Sequence, residues 1–121
     1  MKLEDLQVYQ ISMELGEKTW DLVSRWNYFN KDTIGKQLVR AIDSVSANIS
    51  EGFGRYHFKE NKHFLYYARG SLSESKTWIT KAYNRKLIEG NEYKTLIEEI
   101  EKLSVKLNNY INSIGKTQHN K

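Results

Sequence analysis

Residues 47–55 read ANISEGFGR, and the glycines at 52 and 54, followed by Arg55, admit two opposed folds. A glycine loop that cradles phosphate needs a strand before it and a helix after it, which would make the chain an α/β protein. A helix end would make it all-α. The third glycine of a dinucleotide fingerprint is replaced by His57, and the Lys-Ser or Lys-Thr pair of a P-loop does not follow. Nothing upstream reads as a strand. Instead Ile34, Leu38, Ile42, Val45 and Ile49 recur three, four or seven residues apart, with Lys36, Arg40, Asp43 and Glu51 on the far side. ANISEGFGR is therefore read as the C-terminal end of a helix.

Periodicity outward from this stretch predicts four helices, over residues 3–28, 33–55, 58–88 and 91–114. The last has the plainest stripe: Tyr93, Leu96, Ile97, Ile100, Leu103, Leu107, Tyr110, Ile111 and Ile114. Proline is absent, where average usage would give about six, and this suits long helices. Asn30, Asp32 and Thr33 offer capping oxygens to the second helix, Glu89-Gly90-Asn91 is read as the turn before the fourth, and Gly115 as its C-terminal cap. The expected architecture is one all-α four-helix bundle over 1–115, with a disordered tail at 116–121.

Two of the helices carry apolar residues on two sides. In the first, Leu6, Tyr9, Met13 and Trp20 form one stripe, while Val8, Ile11, Leu15, Leu22 and Trp26 form another. In the third, Phe58, Leu65, Ala68, Leu72 and Ile79 form a core stripe, flanked by Phe64, Tyr67, Ser71 and Trp78. Aromatic surface left outside a bundle marks an interaction site. A homo-oligomer is expected, with Val8, Ile11, Leu15, Leu22, Trp26, Phe64, Tyr67 and Trp78 at its interface; wider burial within one bundle is the alternative.

Composition narrows the chemistry. With no cysteine, disulfides, thiolate zinc sites and cysteine nucleophiles are excluded. Glu60 and His63 make one E-x-x-H, but a di-iron bundle needs two plus further glutamates, so no metal and no cofactor are expected. No nucleophile with an oriented base is visible, and the protein is not expected to be an enzyme. No apolar run reaches bilayer length and acids stand near the N-terminus, so a cytoplasmic protein without membrane contact is expected. The net charge of +4 is uneven. Arg55, Lys59, Lys62, Arg69, Lys76, Lys81, Arg85 and Lys86 face only Glu60 and Glu74 within that segment, a local +6 against −2 for the remainder. Such a patch is a candidate nucleic-acid surface, or else an ordinary solvated face.

Gln37, Ser44, Asn48, Glu51 and Arg55 line one flank of the second helix beside Ala41 and Gly52. Gly52 there permits close helix approach, Gly54 lets the chain turn, and Gly70 reads like Gly52. The run QLVRAIDSVSANISEGFGR (37–55), with HFLYYARGSLSES (63–75), resembles the four-helix-bundle family encoded by intervening sequences in bacterial 23S rRNA genes, some members of which are named S23 ribosomal protein. Gln37, Arg40, Ala41, Ser44, Asn48, Ile49, Glu51, Gly52 and Arg55 carry the first part, and Phe64, Leu65, Ala68, Arg69, Gly70, Ser71, Leu72 and Glu74 the second. LEDLQVYQISMEL resembles the family's first helix. Ser46, Val39 and Tyr56-His57 depart from it, standing where proline, a second basic residue and a Ser or Thr cap are common. The resemblance implies an up-down antiparallel bundle, a ring-like homopentamer and kinship with the accessory protein of diversity-generating retroelements, which binds a reverse transcriptase and nucleic acid.

Two functions follow as expectations. One is RNA binding through the basic segment, repeated around an oligomer for avidity, with Tyr56, His57 or Tyr66 stacking on bases. The other is a protein scaffold, for a reverse transcriptase or another nucleic-acid enzyme.

Overall fold

The computed structural model describes residues 1–115. Four helices account for most of them: α1 (Gln7–Ser24), α2 (Lys36–Phe53), α3 (Phe58–Asn84) and α4 (Gly90–Ser113). The predicted tail at 116–121 lies outside the described residues. No helix among them is long and apolar enough to cross a membrane.

Residues that touch between helices fix the topology. Gly16 meets Asp43 and Val23 meets Gly35; Gly52 meets Asn61 and Ser44 meets Ser71. Likewise Arg69 meets Asn108, Lys76 meets Glu101, Lys18 meets Glu99 and Arg25 meets Glu92. In every pair of neighbours one number rises as the other falls. All four seams are antiparallel and α4 closes back on α1, giving an up-and-down four-helix bundle.

The core follows a repeat of alternating three- and four-residue steps. In α1 it is Val8, Ser12, Leu15, Thr19 and Leu22; in α2, Leu38, Ile42, Val45, Ile49 and Gly52. In α3 it is Leu65, Ala68, Leu72, Ser75, Ile79 and Ala82, and in α4, Leu96, Ile100, Leu103 and Leu107. A spacing near 3.5 keeps each seam turned inward along nearly parallel axes. The three hydroxyls in these seams are satisfied within their own helices: Ser12 donates to the Tyr9 carbonyl, Thr19 to Leu15 and Ser75 to Ser71, each at 2.8 Å.

This arrangement corrects the expected oligomer face of α1. Val8, Leu15 and Leu22 are buried in the monomer's own core, and Ile11 and Trp26 pack against it half-buried. The other stripe is split: Leu6 is buried and Tyr9 packs half-buried on the core, while Met13 and Trp20, the latter 60% exposed, face outward. α1 packs on both α2 and α4, so its buried arc is wide, and Ser12 and Thr19 break the apolar pattern that would have marked it. Phe58, assigned to the α3 core, is exposed at the first position of that helix.

The connections also differ from expectation. Asn27, not Asn30, caps the turn at Tyr28–Asn30, its Oδ1 accepting from the Asn30 amide at 2.9 Å. A π-helical turn at Lys31–Gly35 then runs directly into α2, with Ile34 and Gly35 both buried. A Cβ on Gly35 would lie 2.7 Å from Val23 Cγ1, so the glycine lets this wide turn lean on α1. α3 stops at Asn84 because Lys86 takes a left-handed φ of 65°. There the Lys86 amide donates to Tyr83 and the Leu87 amide to Ala82, both at 2.9 Å, a paired C-terminal closure in which glycine is the usual residue. The α3–α4 turn therefore precedes Gly90, which begins α4. Gly115, with φ 84°, follows the end of α4.

Gly52 and Gly70 have opposite surroundings. A Cβ at Gly52 would sit 2.8 Å from Asn61 Oδ1 and 2.9 Å from the Asn61 carbonyl oxygen, which no side-chain rotation moves. Gly70 has nothing within 4 Å, so it is not a second close approach. Gly52→Ala is expected to destabilise the fold by about 1–3 kcal/mol, and Gly70→Ala to stabilise it by about 0.5–1 kcal/mol. Urea unfolding checks both.

Asp43 offers a pH test. The residue is exposed as a whole, but its carboxylate leans on the α1 backbone at Gly16. Partial burial, and then the neighbouring Glu17, hold it above the usual carboxylate range. The folded state therefore keeps this proton to higher pH than the unfolded chain does, and the contribution of Asp43 to stability falls as pH rises above about 4. Asp43→Asn is expected to raise the urea midpoint at pH 7, with the gain shrinking toward pH 3.

Candidate nucleic-acid interface

The tight α2–α3 approach organises one end of the basic segment. Because Gly52 lets α3 come close, Phe64 packs beside it, its Cβ 3.1 Å from where a Gly52 Cβ would stand. The Arg55 guanidinium lies 4.8 Å from the Phe64 ring centroid. Arg55 also contacts Glu51 at 3.2 Å and Glu60 at 4.0 Å. Phe64 meets Tyr67 edge-on, and the Tyr67 hydroxyl shares a 2.7 Å hydrogen bond with His63 Nε2. The Glu60 and His63 of the E-x-x-H are thus turned to Arg55 and Tyr67.

The eight cations differ in how far their charge is offset. Arg55 faces two carboxylates. Lys76 pairs with Glu101 of α4, whose hydrogen bond and charge hold the ammonium above the ordinary lysine range. Arg69 Nη1 donates to Asn108 Oδ1 at 3.1 Å and its guanidinium lies 5.1 Å from the Tyr66 ring centroid. Among the described residues Lys59, Lys62, Lys81, Arg85 and Lys86 form no ion pair.

The basic segment divides accordingly. Lys59, Lys62 and Arg69 lie on the first half of α3, and Lys81, Arg85 and Lys86 at its far end. Lys62 and Lys81 are separated by about 29 Å at 1.5 Å per residue. The first group has more exposed aromatics: Tyr56, 92% exposed, stands in the turn against His57, and Tyr66 and Tyr67 are exposed on the helix, whereas the far end has Tyr83, stacked on Tyr93.

The remaining motif residues have other surroundings. Asn48 Nδ2 donates to the Ser44 carbonyl at 2.8 Å and to Ser44 Oγ at 3.0 Å, and Ser71 Oγ donates to Ser44 Oγ at 3.0 Å, a polar seam between α2 and α3. Gln37 and Arg40 are exposed on α2. Trp78 is half-buried, with its indole N–H donating to Glu74 at 2.9 Å.

A second surface escaped the sequence reading. Trp20, Val23, Tyr28, Gly35 and Val39 line an apolar groove of about 550 Å³ beside the π-helical turn, rimmed by Lys31, Asp32, Lys36 and Arg40. The exposed Trp20 was the available signal, but its stripe was not assigned to the surface.

Residues 4–109 match the family model described as 23S rRNA-intervening sequence protein. The chain belongs to this family. A solved structure from Bacteroides thetaiotaomicron VPI-5482, described as a protein of unknown function from the S23 ribosomal protein family, is 19% identical over 88% of this chain and 99% of that one, with a TM-score of 0.79. At that identity the likeness shows a shared fold. No curated protein matches the sequence. In this member of the 23S rRNA-intervening sequence protein family, the charge of α3 stands outside a closed core.

Proposed function

We propose that the protein binds RNA through phosphate contacts on α3, without catalysing a reaction, and that several copies act together in a ring-like homopentamer. The observation that carries this reading is the set of cations without carboxylate partners, above all Lys59 and Lys62, next to exposed aromatic side chains. A cation not already neutralised by the protein is free to displace counterions from a phosphate backbone. One copy offers few such groups; a ring would repeat them and supply avidity. The exposed Met13, Trp20, Tyr28 and Phe29 support assembly, since this much apolar surface on a small chain favours cover.

The groove at Trp20 and Tyr28 favours a second reading, a scaffold for a reverse transcriptase or another nucleic-acid enzyme. Salt separates the two, because phosphate-dominated binding weakens with a log-log slope of about −0.7 to −0.9 per neutralised phosphate, whereas an apolar interface barely responds. The expected outcome is that a labelled structured RNA titrated with the protein shows tight binding at low salt and a steep loss toward physiological salt. Lys59→Glu, Lys62→Glu and Arg69→Glu together abolish it, while light scattering reports an unchanged oligomer mass. Absence of RNA binding at low salt would exclude the RNA reading for the protein alone.

A further inference from the structure

Tyr66 is an aromatic ring that the fold does not use. It is 45% exposed and lies outside the set of side chains packed on the core. Its position is nonetheless held. The Arg69 guanidinium lies 5.1 Å from its centroid, and Arg69 is itself fixed by its hydrogen bond to Asn108 on α4. A guanidinium on a ring is a cation–π contact that orients the ring and restricts its rotamers.

At about 100° per residue, Lys59, Lys62, Tyr66 and Arg69 fall within one arc of about 80° on α3. Lys59 is exposed and Lys62 half-buried, and neither has a carboxylate partner among the described residues. The stripe therefore presents two free ammonium groups, then an oriented ring, then a guanidinium. Phosphates suit the first and last of these. An aromatic face suits a base, and does so without regard to its identity.

We propose that Tyr66, oriented by Arg69, is a stacking platform for an unpaired base, and that Lys59 and Lys62 hold the adjoining phosphates, so that α3 takes single-stranded RNA in preference to duplex. This rests on the RNA-binding reading above and adds the class of RNA. In a duplex the base faces are covered by their neighbours, and exposing one means unstacking and unpairing it. The duplex would meet the cations alone, while a single strand meets the cations and the ring.

The test uses a fluorescein-labelled RNA of mixed sequence, about 12 nucleotides long, free and annealed to its complement, titrated with wild type, Tyr66→Ala and Tyr66→Phe at one low salt concentration. Circular dichroism and urea unfolding confirm that the variants fold. The expected result is tighter binding of the single strand, weakened about fivefold to more than a hundredfold by Tyr66→Ala, as for loss of one stacked base. Tyr66→Phe retains the binding, and duplex affinity is the same for all three proteins. If single strand and duplex bind equally and Tyr66→Ala changes neither, the platform is refuted while RNA binding stands. If wild type binds neither, the RNA-binding reading fails, and this inference with it.

Discussion

The structure depends on a seam that recurs in three- and four-residue steps along all four helices. It holds them nearly parallel and antiparallel in direction, so that each packs on its two neighbours and the fourth closes against the first. Leu15, Leu38, Leu65 and Leu103, all fully buried, come one from each helix. Once those rows are interlocked, the groups able to act on other molecules stand on the outside of the bundle.

Gly52 links that core to the surface. Its missing side chain lets the start of α3 settle on the end of α2, which puts Phe64 under Arg55 and orders the aromatic group that follows. A larger residue would push α3 outward and change which cations stand next to which rings. Gly52 therefore has a packing role at this seam. The charge of the basic segment is sorted by a different rule: Arg55 and Lys76 are met by carboxylates, whereas among the described residues Lys59 and Lys62 are not.

Much of the fold was legible in the sequence. The periodic stripes of α2 and α4 are interrupted by few polar residues, and the helices lie where those stripes do. α1 was harder. Ser12 and Thr19 occupy its buried seam, and because each hydroxyl bonds within its own helix, no apolar letter marks either place. The stripe of Leu6, Tyr9, Met13 and Trp20 is divided, its first two residues against the core and its last two facing outward. The end of α3 was missed because Lys86 adopts a conformation usually left to glycine. The π-helical turn at Lys31–Gly35 has no composition of its own, so the groove beside it was invisible until Gly35 was seen against Val23.

Within the candidate site the sequence showed the excess of positive charge but not its distribution. Pairing of Lys76 with Glu101, and of Arg69 with Asn108, depends on the register between helices, which residue spacing alone does not give. On the proposed function, the first half of α3 is the working surface and the Trp20 groove a separate feature. Ultraviolet cross-linking of bound RNA, followed by peptide mapping of the adducts, tests that most directly. Adducts confined to residues 55–69 are the predicted result, and adducts confined to the groove between Trp20 and Arg40 would contradict it.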